Sequence, residues 1–157
     1  MTRHRFLNRQ AMQLFFVFVL FSLSPFSTAI ANAPSGRYTV TNGTVFDTKT
    51  KLTWQQSVSA SPYIYGDASN YCASVGASLG GTGWRIPTIK ELQTIVDYAQ
   101  TAAPWIDRTA FPATPQHYFW SSTVQAGNSS TYWVFDFSAG VITTPFMTNS
   151  CNVRCVR

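Results

Sequence analysis

Cys151 and Cys155, four residues apart, are the side chains of this 157-residue chain best suited to chemistry. A free pair of thiols there could serve redox or copper chemistry, because the thiolate is both nucleophile and metal ligand. One structural disulfide plus a spare thiol is the plainer reading, and no His stands nearby to complete a metal set. His117 is the only histidine beyond the first four residues. It could act as a base or touch a ligand, but a solvated loop histidine is the reading favoured here. The acids Asp47, Asp67, Glu91, Asp97, Asp107 and Asp136 are scattered singly, with no Asp-x-Asp. They offer neither a catalytic carboxylate pair nor the oxygen cluster that calcium needs. Arg85 and Glu91 flank a helix start and read as a structural ion pair or cap network. The chain is therefore expected to be no enzyme and to hold no metal and no cofactor.

Recognition is what remains. Trp54, Trp84, Trp120 and Trp133 could stack on sugars, but Trp in alternating strands is more often core. All four are assigned to the core, and Trp105 to the surface. The expected contact residues are Trp105, Gln116, His117, Tyr118, Asn128, Ser129, Tyr132, Phe146, Thr148 and Asn149. Tyr, Ser and Asn at loop positions make adaptable contact surfaces.

The elements that must position these residues start from Trp84-Arg85-Ile86-Pro87-Thr88-Ile89-Lys90-Glu91-Leu92. Pro87 holds Ile86 extended, and Thr88 with Glu91 three residues on reads as a capping box. The helix it opens is expected to run to about Ala99. An earlier helix spans Asp67 to Val75, with Ala68, Tyr71, Cys72 and Val75 on one stripe. Gly76 to Gly83 breaks it and lacks the Gly-Lys-Ser/Thr of a phosphate cradle. Asn42-Gly43 predicts a tight hairpin between Arg37–Val40 and Thr44–Phe46. Leu52–Gln55, Tyr118–Val124, Thr131–Phe137, Val141–Thr143 and Asn152–Arg157 read as strands, with a turn over Ala126–Ser130. The long segment from Gln100 to His117 is expected to dock through Trp105, Ile106 and Phe111.

Residues 1–31 read as a secretory signal peptide. Arg3, Arg5 and Arg9 precede the apolar Leu14–Phe21, and Ala29-Ile30-Ala31 is the cleavage site. Residues 32–157 then form a single domain. Three of the 11 Lys and Arg lie in the leader and none of the 6 acids do, leaving eight against six. That balance is no footprint for nucleic acid, and no membrane span is expected after cleavage. Export permits a disulfide. Cys72 with Cys155 is preferred, since closing a loop of about 80 residues contributes ~4 kcal/mol on the chain-entropy model. Cys72 with Cys151 stays open, whereas Cys151 and Cys155 are too far apart along an extended strand to pair.

Six landmarks in order carry a resemblance: Thr44-Val45-Phe46-Asp47 leading to Lys51-Leu52-Thr53-Trp54, Tyr71-Cys72, the Trp84–Leu92 unit, Trp120-Ser121-Ser122-Thr123, Trp133–Phe137, and Val153–Arg157. Together they resemble the Legionella collagen-like adhesin C-terminal domain family over about Thr44 to Arg157. The resemblance implies an α+β chain with a C-type-lectin-like fold related to the formylglycine-generating enzymes: two helices flanking a small antiparallel sheet with long loops, its terminal strands paired. It also implies a disulfide from the first helix to the last strand, and a secreted, adhesin-like protein of the periplasm or cell surface. The expected partner is a glycan, with sulfated glycans like the founding adhesin's ligands among the candidates, or an envelope protein. The Glu-Pro-Asn and Trp-Asn-Asp triplets of calcium-dependent lectins are absent. A pilus or envelope subunit and a formylglycine-type oxidase are the rival expectations.

Overall fold

The structure, a computed structural model, describes residues 33–144 and 150–157. The leader and the expected contacts Phe146, Thr148 and Asn149 lie outside those residues. The architecture is α+β with two antiparallel sheets of three strands each. That differs from the single sheet expected.

Strands β1 (Tyr38–Thr41), β2 (Thr44–Asp47) and β3 (Thr53–Gln55) form the first sheet. The β1–β2 turn is Asn42-Gly43, with φ of 47° and 76°, the left-handed pair that a two-residue hairpin needs. Helix α1 (Tyr65–Ser74) follows, then the single-turn α2 (Gly76–Leu79). Helix α3 (Ile89–Thr94) has the capping box: Thr88 Oγ1 accepts from the Glu91 amide, and Glu91 accepts from the Thr88 amide. Replacing Thr88 by Ala should cost roughly 1 kcal/mol, read as a lower urea midpoint at unchanged slope.

Helix α3 stops well short of Ala99. Thr94-Ile95-Val96 is a β-branched run that helices disfavour. Val96 pairs instead with Ile106, and the Asp97 amide donates to the Trp105 carbonyl at 3.0 Å. The long segment thus docks by backbone pairing as well as by Ile106 and Phe111, both fully buried.

Strands β4 (Tyr118–Gln125), β5 (Asn128–Asp136) and β6 (Val141–Thr143) form the second sheet. Only Ala126-Gly127 turns between β4 and β5, so Asn128 and Ser129 belong to a strand. The register of β4 on β5 jumps between Trp120 and Val124. This bulge re-aims the strand. Its Ser122 amide donates to the Pro87 carbonyl at 2.7 Å, and Thr123 Oγ1 accepts from the Ile89 amide at 3.0 Å, at the mouth of α3.

Residues 151–156 are all buried and hold the two sheets together. Val156 bridges both Trp54 and Arg85, and Asn152 bridges Phe119. The terminal segment therefore pairs with β3 and β4, and not with the first strand of the chain. Around it lie two apolar clusters. One gathers Trp54, Leu92, Ile106, Phe111, Phe119 and Phe135. The other gathers Cys72, Trp84, Trp120, Val134, Cys151 and Cys155.

Candidate functional site

The groove begins on the outer face of α1. Tyr65, Ser69 and Ala73 recur every four residues, so they share one stripe, while Ala68 and Cys72 point into the core. Facing them are Trp84, Arg85 and Ile86, and Ser122 from the β4 bulge. Together these line a hollow of about 220 Å³. Ala73 and Trp84 also line a second hollow, about 670 Å³, closed by Gly76, Ala77 and Gly81–Gly83. The two form one run along the helix. Glycine is required where the loop folds back: a β-carbon on Gly76 would sit 2.6 Å from the Gly81 carbonyl oxygen and 3.2 Å from the Trp84 ring.

Among the residues lining the two hollows, the charged one is Arg85. Arg85 grips Glu91 with two hydrogen bonds, 2.6 and 2.8 Å. Those bonds, with the Thr88 amide, outweigh burial and hold the Glu91 pKa below its usual value. At Asp47 burial alone would raise the pKa, but the Arg37 hydrogen bond and the Lys49 amide more than reverse it. Both carboxylates are depressed in the folded chain, so their contribution is full above their unfolded pKa near 4 and lost as pH falls through the lower folded values. The urea midpoint should therefore be flat from pH 7 to 5 and fall below about 4, and Glu91→Gln should blunt the fall.

Four of the eight arginines and lysines beyond residue 31 have internal partners. Arg37 pairs with Asp47 at 2.9 Å, Arg85 with Glu91, Arg108 donates to the Ala102 and Ala103 carbonyls, and Arg154 is wholly buried. Lys49, Lys51, Lys90 and Arg157 are left exposed.

Seven of the expected contact residues are among the described ones. Trp105 is half-buried, its Nε1 donating to the Ser138 carbonyl at 3.1 Å. Gln116 and His117 are exposed, with Gln116 donating to the Ala103 carbonyl. Asn128 and Ser129 are exposed at the β4–β5 tip. Tyr118, whose ring meets that of His117 edge-on with centroids 5.1 Å apart, and Tyr132 both pack against the cluster around Trp120. Tyr132 stacks on Tyr65 with ring centroids 3.6 Å apart. Burial, and then the Tyr132 hydroxyl, push the Tyr65 phenol up to about 12. Tyr132 thus touches the groove wall.

Among the tryptophans, Trp54, Trp84 and Trp120 are buried. Trp84 Nε1 donates to the Gly80 carbonyl at 2.9 Å, and Trp120 Nε1 to the Tyr63 carbonyl at 2.6 Å. Trp54 Nε1 has no partner among the described residues. Trp133 is only half-buried and lines a small apolar hollow with Ile89 and Ile142. Its place near the edge strand β6 leaves one side uncovered. Arg85 is exposed, because its pairing with Glu91 draws it outward along the helix start.

A disulfide joins Cys72 of α1 to Cys155, with Cα atoms 5.4 Å apart. Cys151 is a buried free thiol, and burial pushes its pKa up to about 11. It should therefore resist a thiol reagent in the folded chain at pH 8 and react as one equivalent after unfolding. Among the described residues no three His, Cys, Asp or Glu side chains gather to hold a metal. No described helix is long and apolar enough to cross a membrane.

The groove was missed because its signal was read for another purpose. The Gly76–Gly83 run marks a helix break, but glycines packed against Trp84-Arg85 also mark a place where backbone walls a hollow.

The chain is thus a disulfide-tied α+β domain with hydroxyl, aromatic and guanidinium groups lining the hollow along α1. Residues 43–157 match the Lcl C-terminal domain family, and the chain belongs to that family. No curated protein matches the chain.

Proposed function

We propose that this is an exported, adhesin-like binding domain of C-type-lectin-like architecture that recognises a carbohydrate at the bacterial surface without catalysis. The observation that carries this reading is the groove along α1. Its walls offer the Tyr65 ring, the hydroxyls of Ser69 and Ser122, and the Arg85–Glu91 pair. Hydroxyl donors and acceptors beside an aromatic edge suit a polyhydroxylated ring. Family membership and the disulfide both support a location outside the cytoplasm. The lectin-like architecture is supported by the bond from the first helix to the terminal segment, a pairing common in that fold.

Thiol chemistry of the formylglycine type is disfavoured by what its two cysteines do. Cys155 is spent in the disulfide, and Cys151 is buried with a raised pKa. Dense sulfated chains are a weaker fit than less charged ones, because half of the available cations have internal partners.

A glycan array probed with exported protein tests the reading. Saturable binding to defined saccharides, weakened by Ser69→Trp in the groove, is the expected result. Binding only to envelope protein extracts, with no saccharide bound, would overturn it. A heparin column run in rising salt separates the sulfated alternative: retention beyond physiological salt would favour it.

A further inference from the structure

Arg157 is the arginine whose guanidinium is unspent. It is exposed and makes neither an ion pair nor a side-chain hydrogen bond among the described residues. Its position is nevertheless fixed. The guanidinium lies over the Trp84 ring, 5.4 Å from the centroid, and against Gly81, where a β-carbon would overlap it. Its backbone is pinned to one edge of β3: the Thr53 amide donates to the Arg157 carbonyl and the Arg157 amide to the Thr53 carbonyl, each at 2.9 Å. Trp84 and Gly81 also line the larger hollow, so the guanidinium rests against two residues of its wall.

A guanidinium fork matches a carboxylate with two parallel hydrogen bonds, and stacking on an indole limits the freedom lost when it binds. Around it the hollow supplies the hydroxyls of Ser74 and Thr82 and glycine backbone. The adjoining hollow supplies Ser69, Ser122 and the Tyr65 ring. One free positive charge among several hydroxyls is the composition of a site for a sugar with a single acid group. A heavily sulfated strand would call for several converging cations.

We propose that the Arg157 end of the groove binds the carboxylate of an acidic, unsulfated saccharide, the neighbouring sugar units running along α1 toward Tyr65. This rests on the carbohydrate reading above and adds the class of ligand and the residue that selects it.

The test uses the full exported chain, titrated with a neutral oligosaccharide ending in one glucuronic acid unit, the same oligosaccharide without that unit, dextran sulfate and polyglutamate. The glucuronic-acid-capped oligosaccharide should bind best, with a shallow salt dependence. Arg157→Gln should weaken it at least ten-fold and leave the neutral sugar unchanged, while Arg157→Lys restores part of the loss. Gly81→Ala, which displaces the guanidinium without altering charge, should weaken it as well. Thermal unfolding of each variant checks that the fold is kept. Unchanged binding in a folded Arg157→Gln variant would overturn the proposal. So would tighter binding of dextran sulfate, or polyglutamate binding as tightly as the sugar acid. If neutral sugars bind and Arg157 is indifferent, this inference alone falls; if no saccharide binds the folded wild type, the carbohydrate reading falls with it.

Discussion

A chain carrying Cys72→Ala and Cys155→Ala should lose about 4 kcal/mol of stability, on the loop-closure model for a bridge spanning 83 residues. For a domain of this size that is a third or more of the whole, and it should lower the melting temperature by roughly 15 °C. The bond does more than close a loop. It fastens α1, which carries one wall of the groove, to the segment that joins the two sheets. Loss of the bridge should therefore loosen the groove, so saccharide affinity should fall even at temperatures where most of the chain is still folded. Cys151→Ala is the control. Removing that free thiol leaves the bridge intact and should cost little more than the lost packing of one sulfur. If Cys151→Ala proved as damaging as the double variant, the stabilising bond would have to involve Cys151. Urea unfolding of all three chains, with and without reductant, gives the answer.

How much of this was legible in the sequence depended on range. The Asn42-Gly43 hairpin and the Thr88–Glu91 box came through because each is decided within four residues by backbone geometry. The first helix was read nearly in place because Ala68, Cys72 and Val75 keep their spacing. The second helix was read too long. Ile95 and Val96 satisfy a helical stripe, yet Val96 gains more by pairing with Ile106, a partner ten residues away that periodicity does not weigh. Asn128 and Ser129 were read as a turn on residue type alone, whereas the strand pairing of Gln125 with Asn128 carries the ladder to the end of the hairpin. The same limit hid the groove. Its walls come from α1, the glycine run, the Trp84 segment and a bulge in β4, and no local pattern states that these meet. A loop-rich composition likewise says which residues are polar, not which loops share a side of the molecule.

Replacing Arg154 by Ala should be among the most damaging single changes, at roughly 3–5 kcal/mol, because each buried acceptor left unpaired costs about 1–3 kcal/mol and the vacated volume adds a cavity. Arg154 is wholly buried. Its Nη1 donates to the Gln55 carbonyl at 2.9 Å and to the Gln56 carbonyl, and its Nη2 donates to Thr114 Oγ1 at 2.8 Å. The guanidinium carbon stands 4.7 Å from the centre of the Phe111 ring. Its Nε finds no partner among the described residues, and none of their carboxylates is in ion-pair range. Burial lowers its pKa to about 9, which still leaves it a cation at neutral pH. A lone buried cation is costly, so something must offset it. Here the end of β3 and the long docked segment supply two carbonyls and a hydroxyl, and one side chain donates to all three. Ala leaves those acceptors dry and opens a cavity beside Phe111. Met refills the space and sheds the buried charge but donates nothing, so it should recover part of the loss and stay below wild type. Lys keeps the charge but cannot reach three oxygens in one plane and should also fall short. A Met variant as stable as wild type would mean that the hydrogen bonds contribute nothing net. The fold would then hold its terminal segment by the disulfide and apolar packing alone. Because Arg157 follows three residues later on the same segment, the Ala variant should also lose the fixed position of the groove's free guanidinium. Its saccharide binding should then drop further than its unfolded fraction accounts for.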